Sequence, residues 1–166
     1  MLLYLFRHGI AIDREDPDCP AEAKRDLTPE GRTRTRQSAQ GLLAMGIRPK
    51  LILSSPYVRA EHTAQLVAEV LGVPTKKIRV TQALLPTRSP KLLFRELAGF
   101  KENEVLCVGH APHLDDCLAH ALGLRAGKME LKKAGAAALE LSSFVTPRAH
   151  LLWLMTPKSL RLMRRP

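Results

Sequence analysis

The chain has 166 residues, 45% of them apolar and 25% charged, with a formal net charge of +10. That length and apolar share suit one folded domain with a sizeable core, here spanning 1–166, and exclude a disordered chain. No apolar run approaches the ~20 residues of a membrane span, and the residues before Arg7 lack a signal peptide's basic start and cleavage site, so a cytoplasmic location is expected, and a monomer is the expected state.

The excess of Lys and Arg favours anionic partners. Only seven aromatic residues are present (four Phe, two Tyr, one Trp), and none stands in a basic-aromatic stripe, which argues against base stacking on nucleic acid. Of the three cysteines, Cys107 lies in an apolar run and Cys117 on an apolar helix face. Both read as reduced core thiols, and neither disulfides nor thiolate–metal chemistry is indicated.

Leu2-Leu3-Tyr4-Leu5-Phe6 runs straight into Arg7-His8-Gly9, the pattern of a buried strand ending in a tight turn. Residues 10–26 form a charged loop with prolines. Thr28-Pro29-Glu30 predicts a helix start, with Gly46 as its stop and Arg32, Arg34 and Arg36 on a solvated face that could meet an acidic protein. Leu51-Ile52-Leu53 predicts a second strand, and Ser55-Pro56 the start of a helix that bears Arg59 in its first turn. A weaker strand covers 78–81, and Ser89-Pro90 caps a third helix. Glu104 to Val108 predicts a fourth strand, followed by His110 and a helix opening at Pro112. Strands over 136–141 and 150–155, joined by a loop with Pro147, close the chain before a short basic tail at 157–166. Strands alternating with helices indicate an α/β domain, a three-layer sandwich around a mainly parallel sheet.

Three strand-to-helix joints thus hold a cationic or imidazole group: Arg7 with His8, then Arg59, then His110. In a parallel sheet they gather at one edge, together with the helix amino termini at Pro56 and Pro112. Guanidinium forks suit a phosphoryl group's geometry, and a neutral imidazole can attack it. No carboxylate partner is expected beside the set. His110, His113, Asp115 and Asp116 also suggest a metal site, but Pro112 makes the His-x-x-His span a turn, and neither metal nor cofactor is expected. His62, His120 and His150 read as surface or packing residues.

Leu5-Phe6-Arg7-His8-Gly9, Leu27-Thr28-Pro29-Glu30-Gly31, Ser54 through Thr63 and Val108-Gly109-His110 occur in the order found in the histidine phosphatase superfamily, which the chain resembles over nearly its whole length. Its short length and its ending, Met155-Thr156-Pro157, most resemble the SixA-type phosphohistidine phosphatases. The resemblance implies a phosphoglycerate-mutase-like fold, His8 as nucleophile, Arg7, Arg59 and His110 as phosphoryl ligands, and Ala111 beside them in the substrate site. Larger relatives carry a proton-donating Glu between the second and third motifs, whereas Thr81 to Pro90 has no acid here and Glu96 falls on a predicted helix. Where some relatives have Asp after Arg-His-Gly this chain has Ile10, which leaves any acid to Asp13, Glu15, Asp16 or Asp18.

An alkoxide leaving group without a general acid forfeits roughly 10²–10⁴-fold in rate, while an imidazole departs readily. The expected function is therefore a metal-independent phosphatase acting on phosphohistidine in a protein such as a phosphotransfer domain. The alternatives are a small-molecule phosphomonoesterase using a loop carboxylate, and a non-catalytic module binding phosphoryl groups or nucleic acid.

Overall fold

The computed structural model describes residues 1–144 and 148–164. Six strands form one sheet: β1 (Leu2–Arg7), β2 (Leu51–Ser54), β3 (Ile78–Val80), β4 (Glu104–Gly109), β5 (Ala136–Ser143) and β6 (Arg148–Met155), in the order β3-β2-β4-β1-β5-β6. The pairs β1–β4, β2–β4 and β2–β3 are parallel, while β5 runs antiparallel to both β1 and β6. The sheet is thus mixed but mainly parallel, as expected, with β1 to β4 all running the same way. Its parallel half aligns the carboxyl ends of β1, β2 and β4. The predicted loop at Pro147 and the last residues of the predicted tail lie outside the described residues.

Five helices cover the two faces: α1 (Pro29–Ala44), α2 (Val58–Leu71), α3 (Pro90–Leu97), α4 (His113–Leu122) and α5 (Pro157–Leu162). Strand alternation divides the core in two, because successive side chains leave opposite faces of a sheet. Leu3, Leu5, Leu53 and Cys107 pack against Leu93 and Phe94 of α3 and Leu114 and Cys117 of α4. Tyr4, Phe6, Ile52 and Val108 pack against Ala39 and Leu42 of α1, Ala64 and Val67 of α2 and Leu160 of α5. β1, β2 and β4 are buried on both faces, which is why they read as continuous apolar runs.

α1 begins where Thr28 caps it, the side-chain hydroxyl accepting from the Gly31 amide at 3.0 Å. Two predicted helix starts shift. α2 opens at Val58 and not at Pro56, because Pro56 and Tyr57 form a turn in which the Ser55 hydroxyl accepts from the Tyr57 amide at 3.4 Å. α4 opens at His113, with Pro112 as its cap residue. The basic side chains of α1 are not simply solvated. Arg32 pairs with Asp26, Arg34 with Glu30 and Arg36 with Glu69, at 2.6–2.9 Å.

Gly31 fixes how closely α1 approaches the strand that ends in Arg7 and His8. A Cβ built on Gly31 would lie 2.0 Å from the Ile10 carbonyl oxygen, which is backbone and cannot swing aside. Gly31→Ala therefore gains at most ~1 kcal/mol of helix propensity against an overpacking cost of typically ~1–3 kcal/mol. The expected outcome is a net loss of about 1 kcal/mol, read as a fall of ~2–4 °C in Tm by calorimetry. An unchanged or higher Tm would show that the loop yields freely.

Candidate active site

β1 delivers Arg7 and His8 to the sheet's carboxyl edge, β4 delivers His110 from the residue after its end, and the first turn of α2 delivers Arg59. His8, Arg59 and His110 meet, and Arg7 lies near enough for its charge to act on His8. The His8 and His110 ring centroids lie 5.0 Å apart, and Arg59 Nε lies 3.2 Å from His8 Nε2. His8, Arg59 and His110 are buried, at 7%, 3% and 2% exposure. Ala111 follows His110 in the turn before α4 and is half-buried.

The tautomer of His8 follows from its two neighbours. Its Nδ1 is 2.7 Å from the Gly9 carbonyl oxygen, which can only accept, so Nδ1 carries the proton. Nε2 then holds a lone pair, and the Arg59 Nε–H donates to it. Burial, reinforced by the charges of Arg59 and Arg7, outweighs the Gly9 hydrogen bond and lowers the His8 pKa to about 3. Burial first, and then His8 and Arg59, lower that of His110 to about 2. Both rings are neutral at physiological pH.

Gly9 is the pivot of this geometry. Its amide donates to Thr63 Oγ1 at 3.1 Å, and that hydroxyl donates to the Arg59 carbonyl at 2.6 Å, tying the β1 turn to α2. A Cβ on Gly9 would meet Thr35 Oγ1 at 2.3 Å. Ser55, at the end of β2, places its hydroxyl 2.8 Å from His110 Nε2. Tyr57 packs edge-on against the His110 ring, with centroids 5.1 Å apart, and lies under the Arg59 guanidinium at 4.9 Å.

Each arginine is held from a different loop. The Arg7 Nη1–H donates to the Leu131 carbonyl at 2.7 Å, while the Leu131 amide donates to Asp115 Oδ1 at 2.8 Å. Arg59 donates from Nη1 to the Glu22 carbonyl at 2.7 Å and from Nη2 to Glu22 Oε1 at 2.8 Å. The expectation of a set without carboxylate partners is therefore corrected. Glu22, in the same loop as the four candidate acids, is the one carboxylate in hydrogen-bond contact with the set among the described residues. Arg14 and Arg25 also converge on it, each at 3.0 Å.

Hydrogen bonds from Arg14, and then from Arg25, outweigh burial and with the Arg59 charge lower the Glu22 pKa to about 2. Glu22 is an anion throughout the neutral range and has no proton to give. Asp13, Glu15, Asp16 and Asp18 are exposed; Asp13 and Asp16 accept from the amides two residues on, at 3.1 and 2.9 Å. Glu96 reaches back from α3 to accept from the Thr81 hydroxyl at 2.5 Å.

Of the five buried side-chain polar atoms without a hydrogen-bond partner among the described residues, two belong to the set: Arg7 Nε and His110 Nδ1. Burying such atoms unpaired costs ~1–3 kcal/mol each, which a phosphoryl group's oxygens would recover by accepting from the guanidinium. His113 instead packs its ring against Cys117 Sγ, and Asp115 is committed to Leu131, so the predicted metal-like spacing gathers no shared donors. Among the described residues no cluster of three or more His, Cys, Asp or Glu is present. His62, read as a surface or packing residue, lies against Asp26 Oδ1 at 2.5 Å and Arg32 Nη2 at 3.0 Å. His120 packs near Phe94 and His150 is exposed on β6.

Sequence reading missed Glu22, Ser55, Thr63, Asp115 and Leu131. Ser55 and Thr63 stand inside a recognised motif, which was the one available signal. Nothing local marks Glu22 or Leu131.

The profile of the histidine phosphatase superfamily (branch 1) matches residues 3–84. An uncharacterized protein of Picosynechococcus sp. (strain ATCC 27264 / PCC 7002 / PR-6) is 37% identical over 139 residues, covering 81% of this chain and 82% of that protein. The protein histidine phosphatase SixA complexed with tungstate superposes with a TM-score of 0.85 at 24% identity, covering 96% of this chain and 99% of that one. A mycobacterial glucosyl-3-phosphoglycerate phosphatase complexed with VO3 gives 0.71 at 19% identity, covering 93% and 99%. These likenesses give the fold, a six-stranded mixed sheet between helices of the phosphoglycerate-mutase-like kind. With motifs, fold and profile in agreement, the chain belongs to the histidine phosphatase superfamily.

Proposed function

We propose that the chain is a phosphatase that passes the phosphoryl group through His8 without a metal, and that its substrate is phosphohistidine in a protein. One observation bears most of the weight. Among the described residues the sole carboxylate hydrogen-bonded to the four-residue set is Glu22, and three arginines hold it ionised. A site with a neutral imidazole nucleophile and no available proton donor suits a leaving group that departs without strong acid assistance.

In the first step the His8 Nε2 lone pair forms a P–N bond as the bond to the substrate's imidazole nitrogen breaks. The departing imidazole keeps the bonding pair and takes its proton from solvent. Attack needs the lone pair to which Arg59 Nε–H donates, so the arriving phosphoryl oxygen takes over that N–H. Arg7 Nε–H donates to a second oxygen. In the second step a water oxygen bonds to phosphorus, the P–Nε2 bond breaks, and inorganic phosphate leaves after a proton is lost to solvent. Arg59 and Arg7 stabilise the equatorial charge in both steps, the largest service a protein renders in phosphoryl transfer. Tungstate and VO3, the oxyanions bound in the two structural relatives, match the shape and charge of such a group.

The mycobacterial relative is a glucosyl-3-phosphoglycerate phosphatase by name, which favours a second reading as a small-molecule phosphomonoesterase. That reading needs a proton donor. The loop acids Asp13, Glu15, Asp16 and Asp18 form no hydrogen bond or ion pair with the set, and Glu22 lacks the proton.

Three outcomes are expected. His8→Ala lowers turnover of phosphohistidine by on the order of 10³-fold or more and abolishes an alkali-stable label on the protein; label persisting in that variant would remove His8 as nucleophile. Because the His8 pKa is lowered to about 3, the neutral form dominates above that value. kcat/KM, corrected for the substrate's own titration, should then be flat from about pH 5 to 8, whereas an acid limb near ~6.5 would mean an ordinary imidazole. Glu22→Gln should cost less than ~10-fold on phosphohistidine; a loss of ~10²–10⁴-fold would make Glu22 an acid or base after all.

A further inference from the structure

The two loops that grip the arginines carry opposite charge. Residues 10–26, which hold Arg59 through Glu22, contain six carboxylates and three basic side chains. Residues 123–135, which hold Arg7 through Leu131, contain four basic side chains and one carboxylate. The second loop also reaches the nucleophile, since the Ala134 amide donates to the Arg7 and His8 carbonyls at 3.0 and 3.1 Å.

The surplus charge on each side is free to act on a partner. Asp13, Glu15, Asp16 and Asp18 are exposed and form no ion pair among the described residues, while Arg14 and Arg25 of the same loop pair with Glu22. In the loop that holds Arg7, Arg125, Lys128, Lys132 and Lys133 are exposed, and among the described residues only Lys132 of these is paired, with Glu130 at 2.6 Å. The cationic excess of the chain is therefore not concentrated evenly around the pocket. A uniform polyanion approaching the site meets attraction on one side and repulsion on the other.

Resting on the phosphohistidine reading above, we infer that the mouth of the site is a two-sided electrostatic dock for a protein segment whose phosphohistidine is flanked by acidic residues toward loop 123–135 and basic residues toward loop 10–26. Such an arrangement orients the partner before the phosphoryl group enters, and it works on encounter more than on chemistry. It also disfavours nucleic acid, whose negative charge is the same on both sides of any contact.

The test uses the intact enzyme and four probes: free phosphohistidine, a neutral phosphohistidine peptide, and two peptides with three Glu on one flank and three Lys on the other, in either order. At ~50 mM salt one order of the bipolar peptide should exceed the neutral peptide in kcat/KM by about ten-fold, and the gain should vanish near ~0.5 M salt. Reversing both loops together (Asp16→Lys and Asp18→Lys with Lys128→Glu and Lys132→Glu) should switch the preferred order while leaving turnover of free phosphohistidine within ~2-fold. Equal turnover of both orders, or a preference that survives the reversal, overturns the dock and leaves the phosphatase reading standing. Absence of turnover of every phosphohistidine probe, the free amino acid included, sinks both.

Discussion

The hydrogen bond from His8 Nδ1 to the Gly9 carbonyl is the constraint on which the site depends. It decides which ring nitrogen keeps a lone pair, and so which atom can attack. Everything nearby preserves that choice. Gly9 can turn its carbonyl back onto the ring only because no side chain intrudes between it and Thr35. Thr63 anchors the Gly9 amide from α2, so a single hydroxyl joins the nucleophile's turn to the helix that carries Arg59. Burial then keeps the ring uncharged, which two neighbouring guanidinium groups reinforce.

A parallel half-sheet is the economical way to assemble these parts. Strands β1, β2 and β4 all end at one edge, so three short chain segments bring a nucleophile, a second imidazole and the Ser55 hydroxyl together without long spans. The antiparallel additions β5 and β6 extend the sheet, and the turn before β5 presents Ala134 to the backbone of Arg7 and His8. Scaffold and site thus share hydrogen bonds. The loops, in turn, decide how the two guanidinium groups are aimed, one through a carboxylate and one through a peptide carbonyl.

The chain's local grammar made most of this visible. Arg7, His8, Arg59 and His110 stand at strand-to-helix joints, and the joints are marked by apolar runs, Gly9, Ser55 and Thr28. What stayed hidden depends on partners distant in sequence. Glu22 lies 37 residues from Arg59, and Leu131 lies 124 from Arg7. No periodicity announces such contacts, and in an irregular loop six carboxylates look alike until one of them meets three arginines. Asp115 stood out only as part of a metal-like spacing, because its partner, the Leu131 amide, is backbone and has no side-chain signature. The helix starts moved by one or two residues for the same reason: proline marks a turn but does not say whether the helix begins at it or after it.

The position of β1 has a consequence for how the polypeptide is made. Its partners begin at Glu104 and Ala136, so β1 leaves the ribosome well before either strand it pairs with. At synthesis rates of roughly 5–20 residues per second, that apolar segment waits many seconds for neighbours. Long-range parallel pairing is slow in any case, because loop closure comes before the contacts that reward it. Cellular yield should therefore respond to chaperone supply and growth temperature more sharply than the stability of the finished protein alone would suggest.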